Sequence, residues 1–159
     1  GTPLVDLAPG DFSFPISAWT MTQFLTARAA ARHMLPRRCG VILLLSASPA
    51  RAAIAMTGGF GVACAAIEGL SRTLAAELSP QGIRVVCMRS HRIVDTMRVD
   101  ADFPQVKTDE FVTFLEDMTL LKRLPTLDDV ANTAVFLASD HAAAMTGTVA
   151  NLTGGVGVD

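Results

Sequence analysis

An α/β fold with a right-handed parallel sheet and helical crossovers is predicted by three features of the 159-residue sequence. Apolar runs at residues 40–46 and 83–88 are short and continuous rather than alternating, which marks strands buried on both faces, as in parallel sheets. Between them, Ala63, Ile67, Leu70, Leu74 and Leu78 recur at helical spacing, giving the crossover that two parallel strands require. A third strand at residues 148–153, reached through further helices, completes the alternation. The chain reads as a single domain, and three strands are few for a doubly wound one.

Residues 1–15 read as a leading loop. Thr20, Gln23, Phe24, Leu25, Ala27, Arg28, Ala31 and Arg32 then suit a helix ending before Pro36, and Thr20 and Gln23 have the spacing of a capping box. Gly40 opens the first strand. The helix over residues 59–78 places Glu68 and Arg72 one turn apart, as an outward-facing pair, and Pro80 with Gly82 stops it. After the second strand, a helix over about residues 108–118 carries Phe111, Leu115 and Met118. Thr126 and Asp129 cap another that runs through about Ala138, and the last strand precedes Gly154 and Gly155.

A sheet whose first strand has no earlier neighbour presents an apolar edge that something must cover. A half-sheet is therefore expected upstream or from a partner. Gly1 in place of Met fits either a trimmed initiator or a chain that continues upstream.

Half of the residues are hydrophobic and the mean hydropathy is +0.41, ample for a core and incompatible with a disordered chain. A net charge of −2 and a pI near 5.9 leave no basic excess for nucleic acid or for an anionic membrane surface. No apolar run is long enough to span a bilayer. Cys39, Cys64 and Cys87 form no CxxC pair and cannot all pair with one another, which favours reduced thiols and a cytoplasmic setting. No His, Cys or carboxylate spacing marks a metal site.

The order and spacing of three segments resemble the C-terminal half of the short-chain dehydrogenase/reductase family. Ala63-Cys-Ala-Ala-Ile-Glu-Gly-Leu-Ser-Arg-Thr-Leu-Ala-Ala-Glu-Leu-Ser-Pro-Gln-Gly-Ile-Arg-Val85 is similar to the helix after the family's Tyr-x-x-x-Lys running into its sixth strand. Leu124-Pro-Thr-Leu-Asp-Asp-Val-Ala131, with Phe136-Leu-Ala-Ser-Asp140 and the glycines at 147, 154 and 155, is similar to the family's last helix and strand. Phe24-Leu-Thr-Ala-Arg28 through His33-Met34 is similar to the helix before the fifth strand. The resemblance implies a Rossmann-like sheet and hydride transfer between NAD or NADP and a carbonyl or alcohol.

The family's catalytic positions fall here on residues of other chemistry. Its Tyr aligns with Phe60, which has no proton to give, and its Lys with Cys64. Its Ser aligns with Ala47, flanked by Ser46 and Ser48, and its Asn with Trp19. The resemblance therefore implies an oxidoreductase impaired or inactive in that chemistry. The alternative is a non-catalytic binding or oligomerisation protein that keeps the fold. Ser48 and His91 are the candidate substitute proton donors.

Cys64 reads either as a thiol activated at a helix start or as a small buried hydrophobe. His91 reads either as a proton-handling partner of Asp95 or as a partly exposed loop residue, and His33 complements its helix dipole. The family's glycine-rich pyrophosphate loop has no counterpart, and Gly59-x-Gly61 reads as a tight helix start rather than an anion site. Its Pro-Gly after strand six appears as Ser90-His91, followed by Ile93 and Thr96, so Ser90, Ile93 and Thr96 are the candidate cofactor contacts. Residues 97–122 stand where the family has a substrate lid, and Phe111, Phe114, Leu115 and Met118 read either as the apolar face of that lid or as core. By resemblance the helices at 20–34 and 60–78 build a homo-oligomer, the second through Ala65, Ala66, Gly69, Thr73 and Ala76, and a small-molecule ligand is expected.

Overall fold

The computed structural model describes residues 1–97 and 108–157. Its elements are α1 (Pro9–Met34), β1 (Gly40–Ala47), α2 (Gly59–Leu78), β2 (Ile83–Ser90), α3 (Thr108–Asp117), α4 (Leu127–Ala138) and β3 (Val149–Leu152). The strands form a parallel sheet in the order β1-β2-β3. Register pairs Gly40 with Ile83 and Ala47 with Ser90, and then Cys87 with Val149. The α/β parallel sheet expected from the apolar runs is thus the architecture, and both buried strands extend slightly further toward their C-terminal ends.

The first helix departs from expectation at its start. α1 begins at Pro9, not near Thr20, so the second part of the supposed leading loop, from Pro9 to Pro15, is helical. Pro9 opens it, where a missing N–H costs nothing, and Asp11 complements the dipole of the first turn. Pro15 lies inside the helix and looks in sequence like a boundary. The Thr20 and Gln23 side chains consequently do not form a capping box. Thr20 Oγ1 donates to the Ile16 carbonyl at 2.6 Å, and Gln23 Nε2 reaches across to the Leu45 carbonyl at 3.0 Å.

The apolar faces divide by sheet side. α1 and α2 cover one side through Ala27, Ala31, Ile67 and Ala75 against Ile42, Leu44, Ile83, Val85 and Cys87. α4 covers the other through Leu137 against Val86 and Met88. The turn between α2 and β2 needs Gly82, which has φ of +80° and whose Cβ would strike the Arg38 carbonyl. Gly59 starts α2 against the Phe12 carbonyl, leaving no room for a side chain, so Gly59-x-Gly61 is a packing start for the helix.

Glu68 is not on the outside with Arg72. It is buried, and both of its carboxylate oxygens accept from the buried Arg89 of β2, at 2.7 and 3.0 Å, while Ser46 Oγ donates to it at 2.9 Å. A guanidinium held inside the sheet needs an opposite charge, and Glu68 supplies it. Cys39 is exposed, Cys64 and Cys87 are buried, and all are free thiols. Among the described residues no helix is long and apolar enough to cross a membrane.

Candidate functional site

Parallel register places the C-terminal end of β1 beside that of β2, where open α/β sheets bind ligands. The chain leaves β1 through a tight 3-10 turn, Ser48–Ala50, in which Pro49 fixes the backbone. It leaves β2 at Ser90 and runs through Ile93 to a second short turn, Val94–Thr96. Between these exits, roofed by α1 and the start of α2, lies a cavity of about 770 Å³. That volume is in the range of small-molecule sites.

Trp19, Ala47, Ser48, Phe60, Ser90, His91, Ile93 and Thr96 all line this cavity. Residues expected from widely separated segments are therefore brought together. Trp19 from α1 and Phe60 from α2 meet edge to face, with ring centroids 4.7 Å apart and planes at 89°. With Leu45, Ile54 and Phe111 they make the wall predominantly apolar. Cys64 does not join them. It is fully buried, and its thiol is raised above the ordinary value, chiefly by burial, which fits a small buried hydrophobe rather than an activated nucleophile. Burial likewise pushes Cys87 up to about 11.

The polar centre of the cavity is a pair. Ser48 Oγ lies 2.8 Å from His91 Nδ1, and both residues are buried, at 3% and 7% exposure. Burial lowers the His91 pKa, partly countered by the Leu115 backbone acting as an acceptor. The ring is therefore neutral at pH 7 and can accept a proton. His91 Nε2 is buried and makes no hydrogen bond. His91 is thus neither an exposed loop residue nor a partner of Asp95, whose carboxylate instead accepts from the Leu127 amide at 2.7 Å and caps α4. Ser90 Oγ donates to the His91 carbonyl and Thr96 Oγ1 to the Ile93 carbonyl, each at 2.9 Å. Both hydroxyl oxygens keep lone pairs for a ligand donor.

These residues suit the head of a nicotinamide cofactor: an apolar slot with hydroxyl acceptors at the strand ends. They supply nothing comparable for a pyrophosphate. Of the segment expected as a lid, α3 contributes Phe111 and Leu115 to the cavity, Phe114 faces solvent, and residues 98–107 lie outside the described residues.

The Ser46–Glu68–Arg89 network beneath the cavity floor is a feature the sequence reading missed. Its signal is a stripe: Cys64, Glu68, Ser71, Ala75 and Leu78 follow one another at alternating four- and three-residue steps and are all buried. A carboxylate on such a stripe, with an Arg in a strand buried on both faces, announces a buried pair.

Comparison with known proteins adds the following. The family described as "Enoyl-(Acyl carrier protein) reductase" matches residues 1–157. The chain is 36% identical over 142 residues to short chain aldehyde dehydrogenase 1 of Euphorbia lathyris, covering 85% of this chain and 49% of that protein. It is 34% identical over 139 residues to inactive 2-(S)-hydroxypropyl-CoM dehydrogenase 2 of Xanthobacter autotrophicus, covering 84% and 58%. The crystal structure of sorbitol-6-phosphate 2-dehydrogenase from Erwinia amylovora superposes with a TM-score of 0.91 at 25% identity, over 99% of this chain and 64% of that one. Other proteins of the same fold were solved with NADP bound. The chain spans about half the length of the curated relatives it matches.

Proposed function

The chain belongs to the short-chain dehydrogenase/reductase family, and from that premise we propose that it is a divergent NAD(P)-linked oxidoreductase for an apolar carbonyl or alcohol, impaired in the family's usual proton chemistry. The observation that carries this reading is the Ser48–His91 pair at 2.8 Å in a cavity otherwise walled by Trp19 and Phe60. When bound, the nicotinamide supplies or accepts the hydride. Ser90, Ile93 and Thr96 are the residues that would hold its carboxamide end. Phe60, Ala47 and Trp19 bind and exclude water but move no proton. Ser48 Oγ can hydrogen-bond a reacting oxygen, and the neutral His91 ring can take the proton that an alcohol gives up through that hydroxyl.

The test is NAD(P)H consumption with a panel of apolar ketones and aldehydes. Slow turnover is expected, lowered about 100-fold by Ser48→Ala and by His91→Gln, in line with a general acid's usual contribution. Turnover indifferent to both substitutions removes the pair from the reaction.

A second reading, a non-catalytic binding or oligomerisation protein, is favoured by the apolar residues at the family's catalytic positions. Similarity to a dehydrogenase named as inactive agrees with it. In that case Phe60→Tyr leaves assembly unchanged, as read by light scattering, and no substrate of the panel is reduced. The exposed faces of α1 and α2 are the proposed surfaces for a second copy of the chain, and the free edge of β1 is the proposed seat of a strand from upstream or from a partner.

A further inference from the structure

We propose that the Ser48–His91 pair also makes this cavity an ester-hydrolysing site, with Ser48 as nucleophile, His91 as its base and esters of apolar acyl groups as substrates. A serine hydroxyl attacks a carbonyl only when a neighbouring base takes its proton as the new bond forms. Ser48 Oγ has that base at 2.8 Å, and both side chains are withdrawn from bulk water. With the ring proton on Nε2, the Nδ1 lone pair faces the serine hydroxyl. Nε2 itself is buried and makes no hydrogen bond.

The backbone supports the same role. Ser48 opens a proline-fixed turn directly after a buried parallel strand, so its hydroxyl is held at the strand end rather than on a long loop. Trp19, Leu45, Ile54 and Phe60 form the apolar wall that an acyl chain would occupy. Arg92 lines the same cavity and adds a positive charge to its wall.

The steps balance with water as the only co-reactant. Ser48 Oγ bonds to the ester carbonyl carbon while its proton passes to His91 Nδ1. The tetrahedral intermediate then expels the alkoxide, which leaves as the alcohol with the proton from His91. Water attacks the acyl-serine, His91 takes its proton, and the carbon–Oγ bond breaks as that proton returns to Ser48. The products are a carboxylic acid and an alcohol, with nothing oxidised or reduced. Independence from nicotinamide separates this activity from carbonyl reduction.

The experiment treats the purified protein, without nicotinamide, with an alkyl fluorophosphonate, maps the adduct by mass spectrometry and follows hydrolysis of p-nitrophenyl butyrate. The expected result is an adduct on Ser48, with labelling and hydrolysis abolished in Ser48→Ala and slowed about 100-fold in His91→Gln. Circular dichroism confirms that each variant is folded. Should His91→Gln fail to fold, the wild-type protein decides alone, through labelling that declines as pH falls and His91 becomes protonated. Absence of a Ser48 adduct on folded wild-type protein, or hydrolysis that persists in Ser48→Ala, overturns the proposal.

Discussion

Burial holds His91 below the usual histidine value of 6.5, and this links a single ring to the stability of the fold. In the unfolded chain the ring titrates at its ordinary value, so between that value and the lower folded one the unfolded state binds the extra proton. Stability therefore rises with pH through this window and falls on acidification from about 6.5 downward. Urea midpoints measured from pH 7 to pH 5 are expected to decline more steeply for the wild type than for His91→Gln. Equal slopes would show that His91 does not contribute. The Glu68–Arg89 pair obeys a different rule. Glu68→Ala removes the carboxylate shared by the buried Arg89 guanidinium and the Ser46 hydroxyl, and is expected to cost about 3–5 kcal/mol in chemical denaturation. The joint replacement Glu68→Leu with Arg89→Met removes both charges and is expected to cost far less, because neither is left uncompensated.

At the scale of the element, the start of α4 is held by side-chain bonds from both ends of its capping box and from two residues outside the helix. Thr126 Oγ1 accepts from the Asp129 amide at 3.1 Å, and Asp129 Oδ2 accepts from the Thr126 amide at 3.0 Å. Arg123 also donates to Asp129 at 2.6 Å, which with the Thr126 amide holds its carboxyl well below the usual carboxylate range. Asp95 adds a cap from outside the helix. Thr126→Ala is expected to lower stability by about 1 kcal/mol, measured by urea unfolding, with α4 opening first in hydrogen exchange. This helix start was legible because a capping box carries its own sequence signature. The buried strands were legible for a similar reason, each being a self-contained apolar run. The start of α1 was not, because Pro15 inside a helix looks the same in sequence as Pro15 before one. Glu68 was misread because an i,i+4 partner on its own helix was visible, whereas Arg89, across the sheet, is a matter of tertiary packing.

The whole molecule sets what single segments cannot. Ser48 and His91 are 43 residues apart, and only the parallel register of β1 and β2 makes them neighbours. Family resemblance placed both near one site, but their hydrogen bond was not legible. The same register leaves β1 paired with β2 alone among the described residues, so its outer edge is open beside Leu45, which is 44% exposed. A separate apolar surface runs along α1, where Phe14, Met21 and Leu25 are exposed at helical spacing. The occupants proposed for these surfaces differ, a strand for the edge and a second copy of the chain for the helix face. Expressed as this 159-residue polypeptide, the protein is expected to show mass above 16.8 kDa in light scattering, rising with concentration. Leu25→Glu is expected to remove association through the helix face while leaving slower association through the edge. Leu45→Lys should do the reverse, because a charge beside an open strand blocks edge pairing without touching the helix face. A monomer at every concentration would refute both surfaces, and loss of all association in Leu25→Glu would mean that the β1 edge does not recruit another strand.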